Sequence, residues 1–130
     1  MKATVADCIM AYLANYGVRH IFMLPGGGAM HLNDALARSE RLIAVPTLHE
    51  QAATIAAEAY AKISGGLAVV MVTSGPGATN TITGVSGAWL DSSPVLIISG
   101  QVKTSDLKGQ SGLRQRGMQE VDIVSMVRPI

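Results

Sequence analysis

Charge and aromatic rings are both scarce in this chain. Charged residues make up 15% of it, and Lys plus Arg outnumber Asp plus Glu by only ten to nine. A disordered chain would be richer in charge and poorer than 48% in apolar residues. No basic excess exists to drive binding to nucleic acid or to a membrane surface, so neither partner is expected. The single cysteine, Cys8, excludes an internal disulfide, and no zinc-ligand spacing occurs. Cys8 reads as a small buried residue on a helix. The longest pure apolar run covers residues 8–14, far below the roughly 20 residues that span a bilayer. Asp7 offsets Lys2, so the start lacks the basic region of a signal peptide. The expectation is a soluble cytoplasmic protein. One Phe and one Trp beside 14 Gly point to a core of Ala, Val, Ile, Leu and Met with tight turns.

At 130 residues the chain fits one domain, large enough to bury roughly two-thirds of its unfolded surface. Two kinds of segment alternate along it. A helix is predicted over 5–16, with Thr4 as N-cap and Gly17 as stop. Val5, Cys8, Ile9, Tyr12 and Leu13 fall on one face of it at helical spacing. A strand follows at 20–24, then the break Pro25-Gly26-Gly27-Gly28, a helix at 29–37 and a strand at 42–45. Helix 50–64 is Ala-rich and closed by Gly65-Gly66. Strand 67–73 is apolar enough to be buried on both faces. Gly75-Pro76-Gly77 is a sharp turn, followed by a helix at 80–90 and a second buried strand at 95–99.

Strand, glycine turn, helix, strand is the pattern of βαβ units: an α/β fold, a parallel sheet with helices on both faces. Ligands of such sheets sit at the carboxyl ends of the strands. The glycine turns at 25–28 and 75–77 each follow a strand, so both belong on that edge. Residues 103–118 break the pattern, carry a local charge of +3, and read as a surface loop or as a lid over an anionic ligand. An apolar helical pattern resumes at Val121, Ile123, Val124 and Val127. Pro129-Ile130 reads as the approach to a further strand, so the chain is expected to end in mid-fold.

Several residues have both a structural and a chemical reading. Thr47 and Glu50 match Ser/Thr-x-x-Glu, a capping box. Alternatively Glu50 is a carboxyl in a cleft beside Leu48 and Ala52-Ala53, where burial favours a group that holds or shares a proton. His49 reads first as a hydrogen-bonded structural residue. The glycine turns are either plain turns or places where backbone N–H groups approach a ligand. The second is not a P-loop, because the Gly-Lys-Ser/Thr end is missing, and Asn80 replaces the third Gly of Gly-x-Gly-x-x-Gly.

Read together, Phe22-Met23-Leu24-Pro25-Gly26-Gly27, Leu48-His49-Glu50-Gln51-Ala52-Ala53, Ala57-Glu58-Ala59-Tyr60-Ala61, Val72-Thr73-Ser74-Gly75-Pro76-Gly77-Ala78-Thr79-Asn80 and Ser99-Gly100-Gln101-Val102 form an ordered set. This set resembles the N-terminal pyrimidine-binding domain of thiamine diphosphate enzymes of the acetolactate synthase type, over nearly the whole chain. The resemblance implies thiamine diphosphate as cofactor and a small 2-oxo acid such as pyruvate as substrate, decarboxylated and joined to an acceptor carbonyl. It implies that Glu50 hydrogen-bonds N1′ of the aminopyrimidine and activates the cofactor. It places Pro25, Gly26 and Gly27 near the reacting carbon. Gly75, Gly77 and Asn80 come near the pyrimidine or a subunit interface, and Gln119, with Glu120, beside the active site as a second catalytic residue.

Met118 stands where the family has Phe, after a longer loop, which leaves FAD an open question and not an implied cofactor. Mg²⁺ is held in this family by a Gly-Asp-Gly…Asn motif in another domain. None of Asp7, Asp34, Asp91, Asp106 or Asp122 stands in that context, so no metal ligand is assigned to this chain. The resemblance therefore implies one pyrimidine-binding domain, residues 1–130, as a fragment of, or partner to, a larger enzyme. That enzyme is expected to be a homo-oligomer, dimer or tetramer, with a diphosphate-binding domain. The isolated chain is expected to be inactive. Two other readings stay open: a non-catalytic interaction module, and a flavodoxin-like nucleotide binder using the glycine turns.

Overall fold

The computed structural model of the chain describes residues 3–130; Lys2, used above in reading the N-terminus, lies outside them. Four strands, β1 (His20–Met23), β2 (Ile43–Pro46), β3 (Ala68–Val72) and β4 (Val95–Ser99), form one sheet in the order β2-β1-β3-β4. All three pairings are parallel, with Phe22 opposite Val70 and Val70 opposite Ile97. The α/β parallel sheet expected from the alternation is the observed fold.

Side chains alternate across the strands and divide the core in two. Ile21, Met23, Val69 and Met71 face α1 (Val5–Tyr16) and α2 (Met30–Ala37), meeting Met10, Leu13 and Leu36. Phe22, Val70 and Val72 face α3 (Glu50–Ser64), meeting Ala53, Ala57 and Ala61. The alanines let α3 lie close to the sheet, and α5 (Ile82–Leu90) packs beside it. β3 is central and wholly buried.

Several expectations need correction. α1 buries Ala6, Met10, Leu13 and Ala14, with Ile9 partly covered, while Val5, Cys8 and Tyr12 are exposed. Two apolar stripes run along α1, and the one bearing Met10, Leu13 and Ala14 joins the core with α2 and the sheet. β4 is not a buried strand: among the described residues it pairs on one side only, and Leu96 is exposed. The helix predicted over 80–90 forms as α5, from Ile82, and a short helix not expected from the sequence, α4 (Pro76–Thr79), precedes it, with Asn80 and Thr81 between the two. Gly75-Pro76-Gly77 thus opens a helical turn, with Pro76 at its first position where a missing N–H costs nothing. Near the end of the chain, α6 (Ile123–Val127) forms but leaves Val124 and Met126 exposed, and Pro129 and Ile130 form no strand.

The caps follow the sequence more closely. Thr4 and Asp7 form a reciprocal capping box on α1, and Gly17 and Gly65 close α1 and α3 in left-handed conformation. Because the strands are parallel, the segments after β1, β3 and β4 all emerge at one edge.

Candidate functional site

α3 begins at that edge. Its N-cap is His49, whose Nδ1 accepts from the Gln51 N–H at 3.1 Å. The capping box expected of Thr47 and Glu50 does not form. Thr47 Oγ1 instead donates to the carbonyls of His49 (2.9 Å) and Met23 (3.4 Å), tying the loop to the end of β1. Glu50 is thereby released from capping. Its side chain turns inward and is 7% exposed. Oε2 accepts from Asn80 Nδ2 at 2.9 Å. Among the described residues Oε1 has no hydrogen-bond donor. A buried carboxylate at the first helical position is favoured by the helix dipole, and an oxygen left free can still meet a ligand's donor.

Leu48, expected to flank the carboxyl, is fully exposed. The surroundings come instead from residues after β3. A Cβ added to Gly77 would lie 3.4 Å from Glu50 Oε1 and 2.6 Å from Thr73 Cγ2. A Cβ on Gly26 would lie 2.5 Å from Thr73 Cβ. Both glycine segments therefore close on Thr73, whose Oγ1 accepts the Gly28 N–H at 3.0 Å. Sequence pattern marks Thr73 only as a strand end. It bridges the two turns, and its place at the carboxyl end of a buried central strand is the signal that points to it.

Beyond Thr73 lies an open pocket of about 580 Å³. Gly26, Gly27 and Gln119 line it, as do Ser74, His31, Gln101, Lys103, Asp106 and Met118. Gly27 leaves open space where a side chain would project. Pro25 is exposed and does not line the pocket. The expected residues thus fall into two groups joined through Thr73: Glu50, Gly77 and Asn80 on one side, Gly26, Gly27 and Gln119 on the other. Gly75 belongs with the second, since its missing Cβ would collide with the Gln119 backbone carbonyl. Sequence pattern assigns no site role to His31 or Gln101, and reaches Lys103 and Asp106 only through the alternative reading of 103–118 as a lid; their placement depends on α2 and on a loop without periodicity.

The site thus holds a buried carboxyl with one oxygen bonded to Asn80 and the other free to meet a ligand's donor, with Gly77 packed closely beside it. Among the described residues no three His, Cys, Asp or Glu side chains gather as metal ligands. No helix among them is long and apolar enough to cross a membrane.

Comparison with known proteins bears on this geometry. A family model described as "Thiamine pyrophosphate enzyme, N-terminal TPP binding domain" matches residues 3–126. The acetolactate synthase large subunit of Buchnera aphidicola subsp. Schizaphis graminum is 44% identical over 125 residues, covering 96% of this chain and 21% of that protein. The acetolactate synthase isozyme 3 large subunit of Escherichia coli K12 is 42% identical over the same length and shares. The probable acetolactate synthase large subunit of Methanocaldococcus jannaschii is 42% identical, covering 96% of this chain and 20% of that protein. The chain spans about a fifth of the length of these relatives. With a parallel sheet that presents Glu50 and the glycine turns at one edge, the chain belongs to the thiamine pyrophosphate enzyme family, as its N-terminal TPP-binding domain.

Proposed function

We propose that this chain is the pyrimidine-binding half of a thiamine diphosphate-dependent 2-oxo acid decarboxylase or carboligase resembling acetolactate synthase, with Glu50 activating the cofactor. The observation that carries this reading is the buried Glu50 carboxyl, oriented by Asn80 through Oε2 and free at Oε1. Thiamine diphosphate, when bound, supplies the nucleophilic carbon that attacks the 2-oxo group. The chain's own work is to bind and orient. Glu50 Oε1 accepts or returns a proton at the pyrimidine ring nitrogen. Asn80 keeps the carboxyl turned toward that ring. Gly27 leaves the approach to the reacting carbon unobstructed, while Gly26 packs against Thr73. Gln119 lines the pocket on its substrate side.

The diphosphate and its Mg²⁺ are held by a second domain, and the working enzyme is a homo-oligomer in which that domain meets the edge bearing Glu50. Thiamine diphosphate titrated against the assembled enzyme tests the reading. Glu50→Gln keeps the side chain's size and its Asn80 contact but cannot carry the proton. It should lower turnover of pyruvate by about 10²–10⁴-fold, the range of a general acid–base group. Unchanged turnover in Glu50→Gln would remove Glu50 from the chemistry. Nucleotide binding by the chain alone, indifferent to the substitution, would favour a flavodoxin-like binder.

A further inference from the structure

Residues 101–120 form the pocket wall opposite the glycine turns, yet only a 3₁₀ turn at Thr104–Asp106 is regular. Its order comes largely from one carboxylate. Glu120 Oε1 accepts the Lys108 backbone N–H at 2.9 Å, and Oε2 accepts those of Arg116 and Gly117, each at 3.3 Å. Three main-chain donors outside helix and strand thus converge on a single side chain, an arrangement that satisfies them and fixes the loop's path. These bonds, that from Lys108 first, hold the Glu120 carboxyl below its ordinary range. The Lys108 ammonium points elsewhere, to the Arg114 carbonyl at 3.3 Å. At the loop base, Gln101 Nε2 donates to the Val121 carbonyl at 2.9 Å.

The neighbouring residue is the one with a conformational cost. Gln119 has φ +57, a left-handed conformation uncommon for a residue with a Cβ. Its carbonyl lies against the bare Cα of Gly75. Such a residue keeps its conformation only where its surroundings over-determine it.

We propose that Glu120 is a positioning residue: its carboxylate gathers the N–H groups of Lys108, Arg116 and Gly117 and so holds Gln119 in left-handed conformation on the pocket wall. The catalytic consequence rests on the function proposed above; the loop geometry does not.

Backbone amide hydrogen exchange on the full chain tests the geometry without cofactor or turnover. In Glu120→Ala, exchange at Lys108, Arg116 and Gly117 should rise by roughly tenfold or more, with β3 amides unchanged. Glu120→Gln, which keeps one acceptor oxygen, should fall between. Lys108→Ala, which keeps the N–H that Glu120 uses, should match the unaltered protein. In the assembled enzyme, Glu120→Ala should lower kcat roughly ten- to hundredfold through misplacement of Gln119, while half-saturation by thiamine diphosphate stays put. Unchanged loop exchange in Glu120→Ala overturns the proposal. So does a Lys108→Ala effect equal to that of Glu120→Ala, or kcat and cofactor half-saturation moving together as in general destabilisation. If Glu50→Gln instead retains full turnover while the loop results hold, the thiamine diphosphate reading fails and the loop assignment stands.

Discussion

Asn80 donates its side-chain amide to Glu50 Oε2 at 2.9 Å, joining residues 30 positions apart in sequence. Asn80 occupies the break between α4 and α5, and Glu50 opens α3, so the bond also ties two helices at the strand ends. Removing the amide leaves a buried carboxyl short of its donor, a loss of about 1–3 kcal/mol. Asn80→Ala should lower the denaturant midpoint accordingly. Asn80→Asp should lower it further at neutral pH, because two carboxylates would then face each other. Equal midpoints for Asn80→Asp and Asn80→Ala would show that the contact does not form in solution.

Gly75 and Gly17 both have positive φ, +60 and +101, but only Gly75 has a neighbour where its Cβ would go. Gly17→Ala should cost only the backbone strain, on the order of 1 kcal/mol. Gly75→Ala adds a collision with the Gln119 carbonyl and should cost more, about 2–4 kcal/mol when strain and overpacking are combined. Equal shifts in the unfolding midpoint of the two variants would contradict the packing of Gln119 on Gly75.

Asp7 accepts from the Thr4 N–H and hydroxyl, each at 2.8 Å, and meets Arg38 at 2.8 Å. The Thr4 N–H, first among these, holds the carboxyl below its ordinary value of 3.8. A carboxyl whose folded pKa is depressed stabilises the fold above its unfolded value and loses that contribution as pH falls through the folded one. Asp7→Asn should therefore unfold at lower temperature than the unaltered protein at neutral pH. The gap between them should begin to narrow near the ordinary value of 3.8 and close as pH falls through the lower folded one. A gap independent of pH would mean that the carboxylate charge contributes nothing.

Cys8 is exposed on α1. A thiol reagent should label it in the folded protein nearly as fast as in denaturant, since access is not limited by unfolding. Labelling that waits for unfolding would restore the buried position the sequence pattern implied. It would also mean that the Val5–Tyr12 stripe is the covered face of α1.

Much of the framework was legible because its causes are local. Thr4, Gly17 and Gly65 mark helix ends through their own backbone geometry and nearest neighbours. The uninterrupted apolar run at Ala68–Val72 reads as a strand buried on both faces, and it is. For the site, Glu50 and the glycine segments were identifiable as motifs, yet the local rule misread the cap. Ser/Thr-x-x-Glu describes Thr47 and Glu50 equally well, and nothing within four residues reveals that Asn80 competes for the carboxyl. The loop at 103–118 was legible only as irregular, because its order rests on Glu120 bonding backbone groups of residues whose side chains carry no pattern.

By itself, then, the sequence determined the order of helices and strands, the parallel sheet and the edge at which the glycine turns emerge. All of these follow from periodicity, caps and chain connectivity. Tertiary structure alone decided which stripe of α1 is buried, that β4 keeps one face partly exposed, which donor Glu50 finds and how Gln119 is held. Each of those choices compares two locally acceptable arrangements. The winner is set by packing and hydrogen bonding between segments far apart in the chain.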